Sequence, residues 1–128
     1  TLDARPKSIH FAELRNREID FYMLGWGVPP FDSSYVFNFL YHTDDGELGS
    51  WNGTRFGDSD LDAQIKSIGS ETDLDKRNAT IGEIWATAQE EKIYLPLHHQ
   101  VLNWALNDDI DYQVQPEDQP HIKFLSYN

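Results

Sequence analysis

A run of alternating residues that stops abruptly is the feature that most constrains how this chain can fold. Ile19, Phe21 and Met23 fall on one face of an extended segment, with more polar neighbours between them. Gly25-Trp26-Gly27 ends the alternation, and Pro29-Pro30 exclude a return to a ladder or helix. Glycine lets another chain or a ligand come close to a backbone. Trp26 is therefore either a cap on a small core or part of a surface that a ligand approaches.

Composition indicates a folded globular domain with an acidic surface. The 128 residues are 39% hydrophobic and 13% aromatic, which is typical of one domain with a core of its own. The 22 acidic residues outnumber the 10 basic ones, giving a formal charge of −12. Because the basic residues form no stripe along the sequence, we expect no nucleic acid partner. Cysteine is absent, so disulfides and thiolate metal sites are excluded.

The sequence contains no targeting or membrane-spanning segment. No apolar run approaches the ~20 residues that a transmembrane helix needs. Thr1-Leu-Asp-Ala-Arg5 is not a signal peptide, since no apolar stretch follows a charged start. We expect the chain to begin as a mature protein or within a longer one.

The first half of the chain predicts a β-α-β unit followed by a short aromatic helix. Thr1-Leu-Asp-Ala4 resembles the end of a strand, and Pro6 to about Arg17 has an apolar face suited to a helix. Together with the alternating run, these segments predict two parallel strands with a right-handed crossover. Asp32 or Ser33 is placed to cap a short helix that carries the aromatic residues up to Tyr41.

The second half predicts two scaffold helices and then extended segments. One helix begins at Asp58 or Ser59 and stops at Gly69, and a longer one runs from Thr72-Asp73 to about Glu90. Their apolar stripes predict that Ile65, Ile81 and Trp85 are buried. Further strands are expected at 93–97, 101–106 and about 110–114, and residues from about 107 to 128 form an otherwise irregular tail.

The sequence offers little support for catalysis. His98-His99 is the only adjacent histidine pair, and neighbours on a strand point to opposite faces, so the two cannot share a metal ion. No nucleophile elbow, phosphate-binding glycine loop or zinc-protease motif occurs. We expect no enzymatic activity, no catalytic residue, no metal site and no cofactor.

Four segments, in order along the chain, resemble a known family. Gly25-Trp26-Gly27 with Asp32 is similar to a Gly-Trp-x-x-Asp-x-x-Asp-Pro signature, and Phe56–Ile65 to Tyr-Ser-Asn-Pro-Glu-Val-Asp-x-Leu-Ile. Asp75-Lys-Arg77 resembles an Asp-x-x-Lys-Arg segment, and Ile93–His99 an Ile-Pro-Leu-Tyr-His stretch. The family is that of the solute-binding proteins of bacterial peptide and dipeptide ABC transporters.

The resemblance implies an α/β fold, one lobe of a periplasmic-binding-protein-like pair with a mixed sheet and flanking helices. Family members are several times longer and carry these motifs in their later part, so residues 1–128 are expected to be an excised C-terminal lobe. The implied function is capture of a peptide or related small solute for uptake. The implied partners are the missing N-terminal lobe and a membrane permease, and the implied location is the periplasm or the outer face of the cytoplasmic membrane. An uncovered edge also predicts a dimer of the fragment.

The resemblance places the ligand-binding residues at Trp26, Gly27, Val28, Pro29 and Asp32. Trp26 would offer an aromatic surface, and the backbone of Gly27 and Val28 would bind the peptide main chain. Pro29 stands where peptide binders commonly have an amine-binding Asp. Either Asp32 takes over that role, or the ligand lacks a cationic end. The alternative from a different class is a self-contained protein-interaction module that docks a partner through the aromatic run from Phe31 to Tyr41.

Overall fold

The structure, a computed structural model, describes residues 3–116 and 119–128 and combines helices with one small sheet. The elements, in chain order, are α1 (Lys7–Arg15), α2 (Ser33–Val36) with a π-helical turn (Phe37–Tyr41), α3 (Ser59–Ile68), α4 (Leu74–Glu90), β1 (Ile110–Tyr112), a 3-10 turn (Ile122–Phe124) and β2 (Leu125–Tyr127). Within the described ranges, no helix is long and apolar enough to cross a membrane.

Aspartate side chains begin three of the helices. Asp32 accepts from the Ser34 N–H, Asp58 from two N–H groups of α3 and Asp73 from two of α4. Each carboxylate satisfies donors that have no partner within the helix, and its charge lies at the positive end of the helix dipole. The helix starts expected at these residues are confirmed.

The core lies between α2 with its π-helical turn, α3 and α4. The apolar spacing expected for α3 is confirmed, because Leu61, Ile65 and Ile68 are all buried. Ile84 of α4 is fully enclosed, whereas Trp85 and Ile81 pack against the core while remaining partly exposed. The core comprises Phe37, Leu40, Tyr41, Leu61, Ile65, Ile68, Ile84, Ala88 and Ile93.

Two helices end in the same hydrogen-bonded motif although neither has glycine there. Arg17 follows α1 with φ 59°, and Lys92 follows α4 with φ 53°. In each case two N–H groups beyond the helix return to its last turn, as in Ile93 N–H to Ala88 O at 3.2 Å. Gly69, expected as such a stop for α3, instead has a right-handed backbone with φ −70°.

The expected parallel pair of strands around α1 is wrong for the described residues. Their only sheet is antiparallel and joins β1 to β2, with Ile110 opposite Tyr127. Thr1 and Leu2 lie outside the described residues, so half of the first expected strand does too. The alternating run is extended, but no neighbouring strand pairs with it. The mixture of helices and sheet agrees with the coarse α/β expectation.

The C-terminal part is more regular than expected. The strand predicted around 110–114 is confirmed at Ile110–Tyr112, and the segment predicted as an irregular tail ends in its partner β2. The strands predicted at 93–97 and 101–106 are not formed, because the described backbone from 94 to 106 has no ladder partner. Several of its apolar side chains face outward, including Leu95 and Val101.

Candidate functional site

Trp26 lies in an aromatic cluster on the surface of the core. Its ring centroid is 6.2 Å from that of Tyr35, 5.9 Å from Phe39 and 6.0 Å from Trp51. The side chain is partly buried and packs against the core cluster. The interpretation of Trp26 as a cap on a small core is therefore supported, and one edge of the side chain remains open to solvent.

The indole N–H of Trp26 is a buried donor with no acceptor among the described residues. A buried indole N–H usually finds a hydrogen-bond partner, and leaving one unsatisfied costs about 1–3 kcal/mol. None of the three neighbouring rings accepts a hydrogen bond from it. The described residues therefore leave the hydrogen-bond donor of Trp26 unsatisfied.

The glycines beside Trp26 are not required by the fold of the chain itself. A Cβ atom built on Gly25 or Gly27 would meet nothing within 4 Å, and neither residue has a positive φ. Gly49, by contrast, has φ +72° and its Cβ would lie 2.3 Å from the carbonyl oxygen of His42. Gly25 and Gly27 therefore leave open space on either side of Trp26 that no described part of the chain fills.

The backbone that leads into this region is extended and unpaired. No described residue hydrogen-bonds to a backbone N–H or C=O from Asp20 to Gly27. Even-numbered side chains such as Tyr22 and Leu24 turn inward, while Phe21 is 91% exposed and Met23 70%. Val28 differs, since its carbonyl accepts from the Phe31 N–H at 2.9 Å across the Pro29-Pro30 turn. Residues 20–27 thus form an open backbone edge whose N–H and C=O groups are unpaired, although the segment is not a strand.

Asp32 lies beyond that turn and already has a cationic partner. Nη2 of Arg77 donates to both carboxylate oxygens of Asp32, at 2.8 and 2.9 Å. The Ser34 backbone N–H and hydroxyl donate to the same carboxylate, at 2.8 and 2.6 Å. The hydrogen bond from Arg77, followed by those from Ser34, holds the pKa of Asp32 well below its ordinary value. Asp32 is therefore a helix cap and ion-pair partner in this structure.

Trp51 is packed down on the core. Its ring meets Phe11 edge-on at 5.2 Å, and the Arg15 guanidinium carbon lies 4.9 Å from its centroid. The loop around it is held by Asn52, which is buried and donates to the carbonyls of His42 and Phe56, both at 2.9 Å. Trp51 consequently contacts Trp26, and the Arg15 guanidinium forms a cation–π contact with its ring.

The remaining candidate residues are not brought together. His98 and His99 are both exposed, and no three His, Asp or Glu side chains converge to hold a metal ion in the described ranges. Sequence reasoning missed the pairing of Tyr22 with Tyr94, whose hydroxyl oxygens are 3.0 Å apart. It also missed Arg77 as the partner of Asp32, although Arg77 belongs to one of the family-like segments.

Comparison of the chain with protein-family models, with curated proteins and with solved structures finds no match.

Proposed function

We propose that this chain is one lobe of the solute-binding component of an ABC importer and that it binds a peptide or related small solute along residues 25–28. The single observation that carries the proposal is the unpaired backbone beside Trp26, flanked by two glycines whose open space the chain does not use. The four family-like segments support it, and the solute would adopt the place of a neighbouring strand.

An extended peptide suits this edge because its main chain has the complementary groups. Each peptide N–H or C=O that pairs with residues 25–27 contributes about 0.5–1.5 kcal/mol. Backbone pairing gives affinity without strong selection of side chains, as in strand addition to a sheet edge. The exposed part of Trp26 would add apolar contact to the solute.

The contacts of Asp32 favour a solute whose end facing this edge is not cationic. A ligand ammonium would have to compete with the Arg77 guanidinium for a carboxylate that already accepts hydrogen bonds from Arg77 and Ser34. Pro29 offers neither charge nor N–H. We therefore favour, of the two alternatives open from the sequence, the ligand without a cationic end.

The rest of the proposed machinery follows from the clamp mechanism. Two lobes close on a ligand by hinge motion, so a second lobe would cover the other side of the solute. The closed protein would then deliver the solute to a membrane permease from outside the cytoplasmic membrane. If this lobe provides half the binding free energy of a micromolar ligand, about −8 kcal/mol, the chain alone binds at about millimolar Kd.

The alternative of a protein-interaction module has less support from the contacts. Phe37, Leu40 and Tyr41 of the aromatic run are buried in the core, so a partner cannot reach them. Phe31 is 68% exposed and is the accessible end of the run. A single exposed ring is a small surface for a stable protein interface.

The test is a titration of the isotope-labelled chain with trialanine and with its N-acetylated form, monitored by amide and indole NMR signals. We expect saturable shifts at Gly25, Gly27 and the Trp26 indole in the millimolar range, with the acetylated peptide binding at least as well. The Trp104 indole signal serves as an internal reference, since its ring contacts Tyr112 of β1 and not the Trp26 cluster.

Gly27→Leu and Gly82→Leu form a matched pair of variants, because a Cβ atom meets nothing within 4 Å at either position. The Gly27→Leu side chain would occupy the space proposed for the solute and should abolish the shifts. Gly82→Leu lies on α4 and should leave them unchanged. No saturable shift with either peptide, or equal binding by both variants, would contradict the proposed site.

A further inference from the structure

A cavity of about 170 Å³ lies between the end of α1 and the loop that carries Trp51. Arg15 and Arg17 line it from the helix side, and Asp44, Ser50 and Trp51 from the loop side. Since a water molecule occupies about 30 Å³ of liquid, the space suits a solute of a few non-hydrogen atoms. The cavity does not include Trp26 and is separate from the edge proposed above.

The arginines around this cavity differ from the others in the chain. The sequence has five arginines, and Arg5 and Arg77 both form ion pairs with carboxylates. Arg15, Arg17 and Arg55 form none within the described ranges, although the chain has 22 acidic residues. Arg55 instead donates from Nη2 to the carbonyl oxygen of Arg17. Three guanidinium groups therefore have no carboxylate partner among the described residues.

Arg17 reaches the cavity from the turn that ends α1. Arg17 occupies the left-handed position after α1, with φ 59°, and its N–H donates to Leu14 O at 3.1 Å. Glycine is the residue that this position favours, since a side chain in the left-handed region costs about 1–2 kcal/mol. An arginine at this point is compatible with the turn but is not selected by it.

Arg15 and Trp51 contact each other at the cavity, Arg15 from the helix side and Trp51 from the loop side. The guanidinium lies over the indole ring at 4.9 Å, which holds the cation in place without neutralising its charge. The planar guanidinium has several N–H donors arranged to bind two oxygens of one anionic group. Trp51 supplies an apolar wall for the remainder of a small solute.

We propose that this cavity binds the carboxylate or phosphate group of a small solute, with Arg15 and Arg17 as the anion-binding residues and Trp51 as the apolar wall. Asp44 limits the ligand, because its carboxylate would repel a second negative group. That carboxylate also accepts from the Gly46 N–H at 3.2 Å, which turns one oxygen toward its own loop. The ligand class is therefore a small monoanion or a phosphate monoester. The inference does not depend on the solute-binding role of residues 25–28.

The test is NMR titration of the labelled chain with sodium propionate, with methyl phosphate and with sodium chloride at matched ionic strength. The signals followed are the Nε–Hε groups of Arg15 and Arg17 and the indole N–H of Trp51. We expect saturable shifts of all three signals with propionate or with methyl phosphate. The titration that saturates identifies which anionic group the cavity binds. Chloride should cause only small, non-saturating shifts.

Variants separate an anion site from a general effect of charge. The double variant Arg15→Gln/Arg17→Gln should raise Kd about tenfold or more, since two charge-assisted contacts are lost. Arg5→Gln removes an arginine that is already paired with Asp3 and Glu13, and it should change Kd less than about twofold. Arg17→Lys retains the charge but not the planar donor geometry, so it should weaken binding less than the double variant does, and it also controls for the fold.

Three results would overturn the proposal. They are equal shifts with chloride, unchanged binding by the double variant, and an equal loss in Arg5→Gln. In any of these cases Arg15 and Arg17 serve only to complement the negative end of the α1 dipole. Because the signals followed differ from those of Gly25 and Gly27, failure here is distinguishable from failure of the peptide site.

Discussion

Arg77 and Asp32 join the start of α4 to the start of α2, with one guanidinium nitrogen donating to both carboxylate oxygens at 2.8 and 2.9 Å. Nε of the same arginine donates to the Ile68 carbonyl at the end of α3, at 3.1 Å. One side chain thus contacts three helices at their termini. Because Asp32 also follows the Pro29-Pro30 turn, this contact fixes where the Gly-Trp segment leaves the core.

Asp32→Asn should lower the free energy of unfolding by about 1 kcal/mol at neutral pH, since the charge pair is lost while asparagine still caps α2. The folded-state pKa of Asp32 lies below its unfolded value, so the pair stabilises the fold above about pH 4 and is lost as the pH falls further. Urea unfolding from pH 7 to pH 2.5 should show the difference between variant and wild type shrinking. Asp20→Asn, at an exposed position without an ion pair among the described residues, should change stability by less than about 0.5 kcal/mol.

Gly25→Ala and Gly49→Ala should have opposite effects on stability. Alanine at Gly25 meets no atom and reduces the freedom of the unfolded chain, so a gain of about 0.4–1 kcal/mol is expected. At Gly49 the new Cβ would overlap the His42 backbone in a left-handed conformation, and a loss of at least about 2 kcal/mol is expected. Thermal unfolding of both variants provides the measurement. A marked loss at Gly25 would show that the chain itself needs glycine there.

Ile84→Ala should destabilise the protein by about 2–5 kcal/mol, because Ile84 is completely enclosed between the helices and its removal leaves a cavity. Leu74→Ala on the same helix is the control, since Leu74 is 71% exposed and its truncation should cost less than about 0.5 kcal/mol. Chemical denaturation gives both values. Similar losses for the two variants would contradict the described position of α4 on the core.

Stability should fall as the pH rises above about 10, because burial raises the pKa values of Tyr22, Tyr41 and Tyr94. The unfolded tyrosines lose protons first, so stability is fully present below about pH 10 and is lost at higher pH. Tyr94→Phe should make the decline shallower. Tyr127→Phe, at a residue 80% exposed, should not. Urea midpoints between pH 8 and pH 11 would measure both slopes.

The sequence predicted the features of the fold that depend on neighbouring residues. Helix starts at Asp58 and Asp73 follow from local capping, and the burial of Ile65 follows from the spacing of apolar residues on one helix face. The alternating run before the Gly-Trp segment was predicted to place Phe21 and Met23 on one face and Tyr22 on the other, and it does. The lack of a strand partner was not predicted. Alternating residues indicate which side chains share a face, but they do not indicate whether another strand pairs with the backbone.

The candidate site was predicted in position but not in its contacts. Asp32 and Arg77 are 45 residues apart, and no local pattern indicates that the two side chains meet. The Tyr22–Tyr94 contact spans 72 residues and is hidden in the same way. The arginine cavity was missed because Arg15 and Arg17 at the end of α1 lie far along the sequence from Trp51, which is in the loop after the π-helical turn, and the three line one cavity only in the folded chain.

The rate at which Asn52 deamidates should depend on whether the chain is folded. Asn-Gly sequences deamidate when the glycine nitrogen attacks the asparagine amide, but here that amide donates to two carbonyls and accepts from Thr54. The folded chain therefore protects a bond that the unfolded chain exposes. Once Asn52 becomes aspartate, a carboxylate oxygen would replace the amide N–H groups and repel the carbonyl oxygens of His42 and Phe56. The loop could then not regain its native conformation. Each heating cycle would leave an irreversibly damaged fraction.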